Sequence, residues 1–168
     1  MPAPGSGRRY FTPRGKALEW ITRVHRGLYQ LTGGVLGATV FQRAEPGDRW
    51  PLRPIRILLL TTTGRKSGLE RTTPLPYFTY QGRVLVVASF AGGARDPAWC
   101  HNLRANPEVQ VQIGRRRAAG RARELTGAGR DRYWTLLVRD WPRYGLYQQQ
   151  TARTIPLIEL RLGPSIST

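Results

Sequence analysis

The stretch Ile55–Thr73, IRILLLTTTGRKSGLERTT, constrains this chain more than any other. Its first half is a run of β-branched and apolar residues bounded by Pro54 and Gly64, which is a strand pattern. Gly64–Gly68 then turns the chain tightly, and Arg71–Tyr80 returns it, so the segment predicts a hairpin. Pro74 and Pro76 lack an N–H, so the returning strand should be an edge strand or carry a bulge. The turn presents Arg65 and Lys66 between glycines, and Arg71 can point back to the same place. Such a turn can aim backbone N–H groups and positive charge at an anion. Arginine does so bidentately, lysine as a point charge. The alternative is a solvated hairpin tip.

Gly64-Arg65-Lys66-Ser67 looks like the end of a phosphate-binding P-loop, but the glycine required upstream is Leu60, and no helical pattern follows. Nucleotide triphosphate hydrolysis is therefore disfavoured. After the hairpin, Arg83–Phe90 predicts a central strand. Asp96 and Pro97 predict the N-cap and first residue of a helix over Ala98–Ala105. Glu108–Ile113 alternates as a half-buried strand, and Arg117–Leu125 is its expected partner. Gly129–Trp141 predicts a helix ended by Pro142, and Ile155–Leu162 a final strand. Arg143–Arg153 reads as a polar, aromatic connection. Short strands, tight turns and few helices argue for a mostly β chain with short helices (α+β), built as a small antiparallel barrel of about six strands.

Upstream, residues 1–15 predict a loosely ordered arm rich in Pro, Gly and Arg. Residues 16–32 place Ala17, Ile21, Val24, Leu28 and Leu31 on one helical face. That helix either covers the domain or lies on an anionic membrane. Residues 35–54, with Pro46, Pro51 and Pro54, predict a linker that Trp50 pins to the core. The expected division is 1–54 as arm, helix and linker, 55–162 as the barrel domain, and 163–168 as a tail.

The formal net charge is +17, nearly all of it arginine. It favours anionic partners, whether nucleic acid, an anionic membrane surface or a phosphorylated small molecule. Arg115-Arg116-Arg117 sits at a hairpin turn without a nucleic-acid-binding motif around it, which favours a solvated turn. Arg8-Arg9 is not followed by an apolar signal core, and the expected location is cytoplasmic or peripheral on the inner face of the cell membrane.

Acid–base and nucleophilic groups are scarce. Cys100 is the only cysteine, so neither a disulfide framework nor a cysteine-based metal cluster is expected. His25 and His101 lack partners for a metal or a Cys–His pair. Ser89 has no Gly-x-Ser-x-Gly setting. An enzyme of this composition needs a bound cofactor for its hard chemistry. Trp141, Tyr144 and Tyr147 recur at a regular spacing in a polar stretch, which suits either core packing or a wall over a flat ring.

Three blocks, LLLTTTGRKSGLERTTPL (58–75), VVASFAGGARDPAWCHNLRANPEVQVQI (86–113) and YQQQTARTIPLIEL (147–160), resemble the deazaflavin-dependent nitroreductase family. Its members are actinobacterial oxidoreductases and quinone reductases with a split β-barrel, FMN-binding-like fold. The resemblance implies coenzyme F420 as cofactor and hydride transfer to a quinone, a nitroaromatic or a similar electron-poor acceptor. It implies that Arg65, Lys66 and Arg71 hold the phosphate and oligoglutamate tail. It implies that Pro74, Ala88 and Ser89 line the deazaflavin ring, and that Trp99 and Asn102 support the pocket. Trp141, Tyr144 and Tyr147 match the family's substrate wall, with Ser89, Tyr144 and Tyr147 as catalytic candidates and no metal. Phe90 stands where the drug-activating member has lysine, and Arg95 is the candidate replacement. The alternatives are an FMN-binding oxidoreductase on the same barrel and a basic nucleic-acid-binding barrel.

Overall fold

The computed structural model describes residues 39–43 and 52–164. The predicted arm, the helix at 16–32 and Trp50 lie outside the described residues. Seven strands run in chain order: β1 (Thr39–Arg43), β2 (Leu52–Thr63), β3 (Glu70–Tyr80), β4 (Arg83–Val87), β5 (Glu108–Ile113), β6 (Arg116–Glu124) and β7 (Leu157–Leu162). Three α-helices accompany them: α1 (Ala98–Ala105), α2 (Gly127–Asp140) and α3 (Arg143–Gln149). The sheet order is β1-β2-β3-β4-β7-β6-β5, and an added β2–β5 pairing closes six strands into an antiparallel barrel. β1 pairs with the first part of β2, from Thr39 opposite Arg56 to Arg43 opposite Leu52. The predicted linker thus contains a strand, and β2 begins upstream of Ile55.

The apolar run in β2 has no polar alternation because both of its faces are covered. Leu58 and Leu60 point into the barrel with Val86, Val111, Ile158 and Leu160. Ile55, Ile57 and Leu59 have the opposite parity and form a separate cluster against Trp141. Burying one such leucine contributes about 1.5–3 kcal/mol. α1 adds Trp99, Cys100 and Leu103 to the inner core. α2 covers the outer face of the barrel, packing Tyr133 and Leu137 on Phe78, Leu85 and Leu157.

Pro74 and Pro76 sit opposite Leu59 and Ile57 of β2, while β3 meets β4 only from Tyr77 onward. Residues two apart in a strand point their N–H groups to the same edge. The prolines therefore fall on the edge of β3 that faces away from β2, where no described strand pairs with residues 70–76. The expected edge character is local to this half of β3, and here the barrel is split.

Three expectations need correction. β4 stops at Val87, not Phe90, because the chain leaves the sheet at Ala88 and Ser89. Pro97, not Asp96, occupies the N-cap of α1, and no side chain caps it. The Asp96 carboxylate is drawn instead to Arg104 and Arg153, each at 2.6 Å. The polar stretch after Pro142 contains helix α3. A glycine inside a short helix argues against helix locally. Gly145 sits where α3 crosses α2, and a Cβ there would lie 3.1 Å from Val138 Cγ1, a tight fit that glycine avoids.

Candidate functional site

The Gly64–Gly68 turn is closed on itself. Gly64 N donates to Leu69 O at 2.8 Å, and Gly68 N donates to Gly64 O at 2.8 Å. Gly68 has φ +68°, a region that glycine occupies without penalty. A Cβ on Gly64 would lie 2.7 Å from Ser67 Oγ and 3.1 Å from Leu69 O, so a larger residue in the crook of the turn would displace the Ser67 hydroxyl and crowd the turn backbone. Ser67 N and Leu69 N are also bonded within the turn, to Gly64 O and Ser67 Oγ. Arg65 N donates to Asn102 Oδ1 at 3.1 Å. With the N–H groups of Arg65, Ser67, Gly68 and Leu69 occupied, side chains make up most of the grip available to an anion.

Asn102 is buried and fixes this arrangement. Its Nδ2 donates to Thr62 Oγ1 at 3.1 Å, and Thr62 Oγ1 in turn donates to Arg71 O at 3.4 Å. One amide thus ties α1 to the end of β2, the turn and the start of β3. Above it opens a cleft of about 460 Å³ lined by Gly64–Ser67, Arg71–Thr73, Ala98, Trp99, His101 and Asn102. The cleft brings together Arg65, Lys66, Arg71, Trp99 and Asn102 from the sequence expectations. The side chains of Arg65, Lys66 and Arg71 are exposed, and none of them pairs with a carboxylate among the described residues. Sequence reasoning missed His101, Ser67, Thr72 and Thr73 as lining residues. The signal for His101 was its place between Ala98 and Asn102 on the helix that faces the turn.

A second cluster forms where β4 ends. Ala88 N still bonds to Pro156 O at 3.0 Å, and then Ser89 leads into a 3-10 turn at Phe90–Gly92. Phe90 and Ala91 have φ of 46° and 50°, unusual for residues with a Cβ, and Phe90 is exposed. Gly92 packs on the end of α3, where a Cβ would come within 2.6 Å of Gln150 Oε1 and 3.2 Å of Tyr147 O. Arg153 donates to Ala88 O at 3.0 Å, Ser89 O at 2.8 Å and Gly93 O at 2.9 Å. Arg153 was not singled out from the sequence. Arg95 is exposed and does not line the cleft.

The aromatic row is real but turned toward the barrel. Trp141 and Tyr144 each meet Phe78 edge-on with ring centroids 5.4 Å apart. Tyr144 and Tyr147 pack at 5.9 Å. Burial, the largest cause, holds the Tyr144 phenol well above the ordinary tyrosine range, so it stays protonated.

Strand parity relates these parts. Arg71 and Thr73 lie opposite Thr62 and Leu60, on the inner face of β3. Thr72, Pro74 and Phe78 have the other parity and lie on the outer face, the side of the aromatic row. The cation cleft and the aromatic wall are therefore on opposite faces of β3. A ligand touching both must cross the open edge at 70–76. That path suits an elongated molecule with an anionic tail and a flat head. A second hollow of about 420 Å³ includes Leu59, Thr61, Gln110 and Arg117 in its lining, but Arg117 is already bonded to Gln112 at 3.2 Å. Among the described residues, no cluster of His, Cys, Asp and Glu could hold a metal, and no helix is long and apolar enough to cross a membrane.

Known proteins share this sequence and fold. A family model described as F420H(2)-dependent quinone reductase matches residues 23–161. An F420H(2)-dependent quinone reductase of Mycobacterium tuberculosis is 35% identical over 143 residues, which cover 83% of this chain and 89% of that one. Among solved structures, an F420-H2 dependent reductase superposes with a TM-score of 0.57 at 42% identity, covering 62% of this chain and 93% of its own. A chain described as a domain-swapped dimer gives a TM-score of 0.59 at 36% identity, covering 87% and 100%.

Proposed function

Because the chain belongs to the F420H(2)-dependent quinone reductase family, we propose that its groove carries out hydride transfer from the reduced deazaflavin to a quinone, with the residues above in definite roles. The observation that carries the assignment of roles is the cleft, where three cations that pair with no carboxylate among the described residues face one space. Arg65, Lys66 and Arg71 hold the phosphate and the carboxylates of the tail. Asn102 and Trp99 shape the cleft and position the turn without spending charge on the ligand. Pro74 and Ser89 border the passage across β3 to the flat head, and Ala88, wholly buried in the inner core, supports Ser89 from behind.

The chemistry the coenzyme supplies when bound is hydride donation to a quinone, which takes up one further proton to become the hydroquinone. The chain's contribution is orientation, exclusion of water and hydrogen bonding as charge develops on the acceptor oxygen. Ser89, which opens the 3-10 turn, and Tyr147, on the helix packed against it, are the hydroxyl donors offered to the acceptor. Tyr144, kept protonated by burial, donates or supports Tyr147 across the working pH range. Trp141 and Phe78 hold the tyrosine rings in place.

Titration of the purified chain with the coenzyme, followed by its fluorescence, tests the reading. Tight binding of the deazaflavin and turnover with a soluble quinone support it. FMN binding without deazaflavin binding overturns it. Quinones partition into lipid, and a net charge of +17 favours an anionic surface, which supports a peripheral place at the membrane. Co-sedimentation with vesicles containing phosphatidylglycerol tests that finer reading.

A further inference from the structure

We propose that Arg153 is a positioning residue for the proposed hydride-transfer site: one guanidinium holds the segment 88–96 in the shape that presents Ser89 beside the end of α3. The proposal rests on the reading of the groove given above. Four acceptors converge on this side chain. Nη2 donates to Ala88 O and Ser89 O, Nε to Gly93 O, and Nη1 to Asp96 Oδ1 at 2.6 Å. Every acceptor lies in one connection between β4 and α1. That connection contains Phe90, Ala91 and Gly92 at positive φ, a run that persists only when its surroundings fix it.

Arg153 is itself held. Gln148 Nε2 donates to Arg153 O at 2.7 Å, and Gln148 Oε1 accepts from Ile155 N at 2.9 Å. Its backbone is thus tied to α3, the helix that carries Tyr144 and Tyr147. Asp96 also receives Arg104 Nη1 at 2.6 Å, and Arg104 bonds Glu124 at 2.8 and 3.0 Å. Arg153 therefore joins three parts: α3 through its backbone, and the Ser89 turn and, through Asp96, α1 by its guanidinium. A planar fork can meet acceptors spread in this way, whereas a lysine ammonium on a flexible stem cannot meet all four. Arg153 does not line the cleft, so its effect on chemistry is transmitted through the backbone of Ala88 and Ser89.

The test compares the full chain with Arg153→Lys and Arg153→Gln. Hydrogen exchange of the free protein should show faster exchange confined to residues 88–95, with the barrel strands unchanged. Coenzyme affinity should fall much less than kcat, because Arg65, Lys66 and Arg71 are untouched and Ser89 meets only the head of the coenzyme. The kcat with a soluble quinone should fall about ten- to hundredfold, the scale expected when reacting groups are misplaced by about an ångström. Arg153→Ala, if folded, should regain activity on addition of low-millimolar guanidinium. Exchange that rises across the whole barrel would overturn the proposal, since Arg153 would then support the fold alone. Unaltered exchange at 88–95 or an unaltered kcat would also overturn it. If the unsubstituted chain binds no deazaflavin, the hydride-transfer reading fails, while the exchange data still decide whether Arg153 holds the segment.

Discussion

Arg65 donates its backbone N–H to the side chain of Asn102 across 37 residues of sequence, at 3.1 Å. The partner amide is buried and also donates to Thr62. Replacing Asn102 by Ala should leave the Arg65 N–H without its partner and the amide's space empty. The expected loss of stability is about 1–3 kcal/mol, read from the denaturant midpoint. Coenzyme affinity should fall several-fold, although Asn102 gives up neither of its hydrogen bonds to a ligand. Unchanged affinity in a folded Asn102→Ala chain would mean that the turn holds its own shape.

Arg65 and Lys66 should behave in the opposite way. Their side chains are exposed and make no carboxylate contact among the described residues. The double substitution to Ala should change stability by no more than about 0.5 kcal/mol. It should weaken coenzyme binding about ten- to a hundredfold, with the larger effect for longer glutamate tails and at low salt. Isothermal titration at two salt concentrations checks this. A loss independent of tail length would move the tail elsewhere.

Tyr144 separates packing from chemistry. Its ring meets both Phe78 and Tyr147 edge-on. Tyr144→Ala should cost about 3–5 kcal/mol, as for other large aromatic truncations. Tyr144→Phe keeps the ring and should cost less than about 1.5 kcal/mol. If the hydroxyl serves the acceptor, Tyr144→Phe should still lower kcat at constant coenzyme affinity. Full activity in this variant would leave the donor role to Ser89 and Tyr147.

Cys100 makes a prediction about pH. It lies wholly inside the barrel, and burial pushes its thiol from 9.0 up to about 12. Below pH 9 both the folded and unfolded chains keep the proton, so this group adds no pH dependence. Between pH 9 and 12 the unfolded chain loses the proton first, so stability should decline with rising pH through this window. Iodoacetamide at pH 8.5 should leave the native thiol unmodified and label it promptly in urea. Rapid labelling of the native protein would contradict the burial.

Much of the fold was legible because its signals are local. Ala98–Ala105 and Glu108–Ile113 were bounded correctly by Pro97, Asn106 and their own periodicity. The cation turn was visible because glycines and charges lie side by side in sequence. What escaped depends on contacts from far along the chain. β4 was extended to Phe90 because VVASF reads as strand, and nothing local reveals that Arg153, 64 residues beyond Ser89, takes its carbonyl. α3 was missed because Gly145 lowers helix propensity, and the close approach of Val138 that a glycine eases lies on another helix. Asp96 was read as a cap because nothing next to it shows that its carboxylate is taken by Arg104 at the far end of the same helix and by Arg153, 57 residues away. The site residues divide the same way: the cations of the turn could be read from the local sequence, whereas the face of β3 on which Arg71, Thr73 and Pro74 lie required the strand register.

Pro74 and Pro76 have a bearing on how copies of this chain meet one another. The edge of β3 at 70–76 that faces away from β2, which the proposed site would use as a passage, has no strand partner among the described residues, and an unpaired strand edge invites a second chain to add its own strand. Pro74 and Pro76 remove two of the backbone donors on that edge that intermolecular pairing would use. The two rings therefore weaken self-association through this edge while leaving the groove clear.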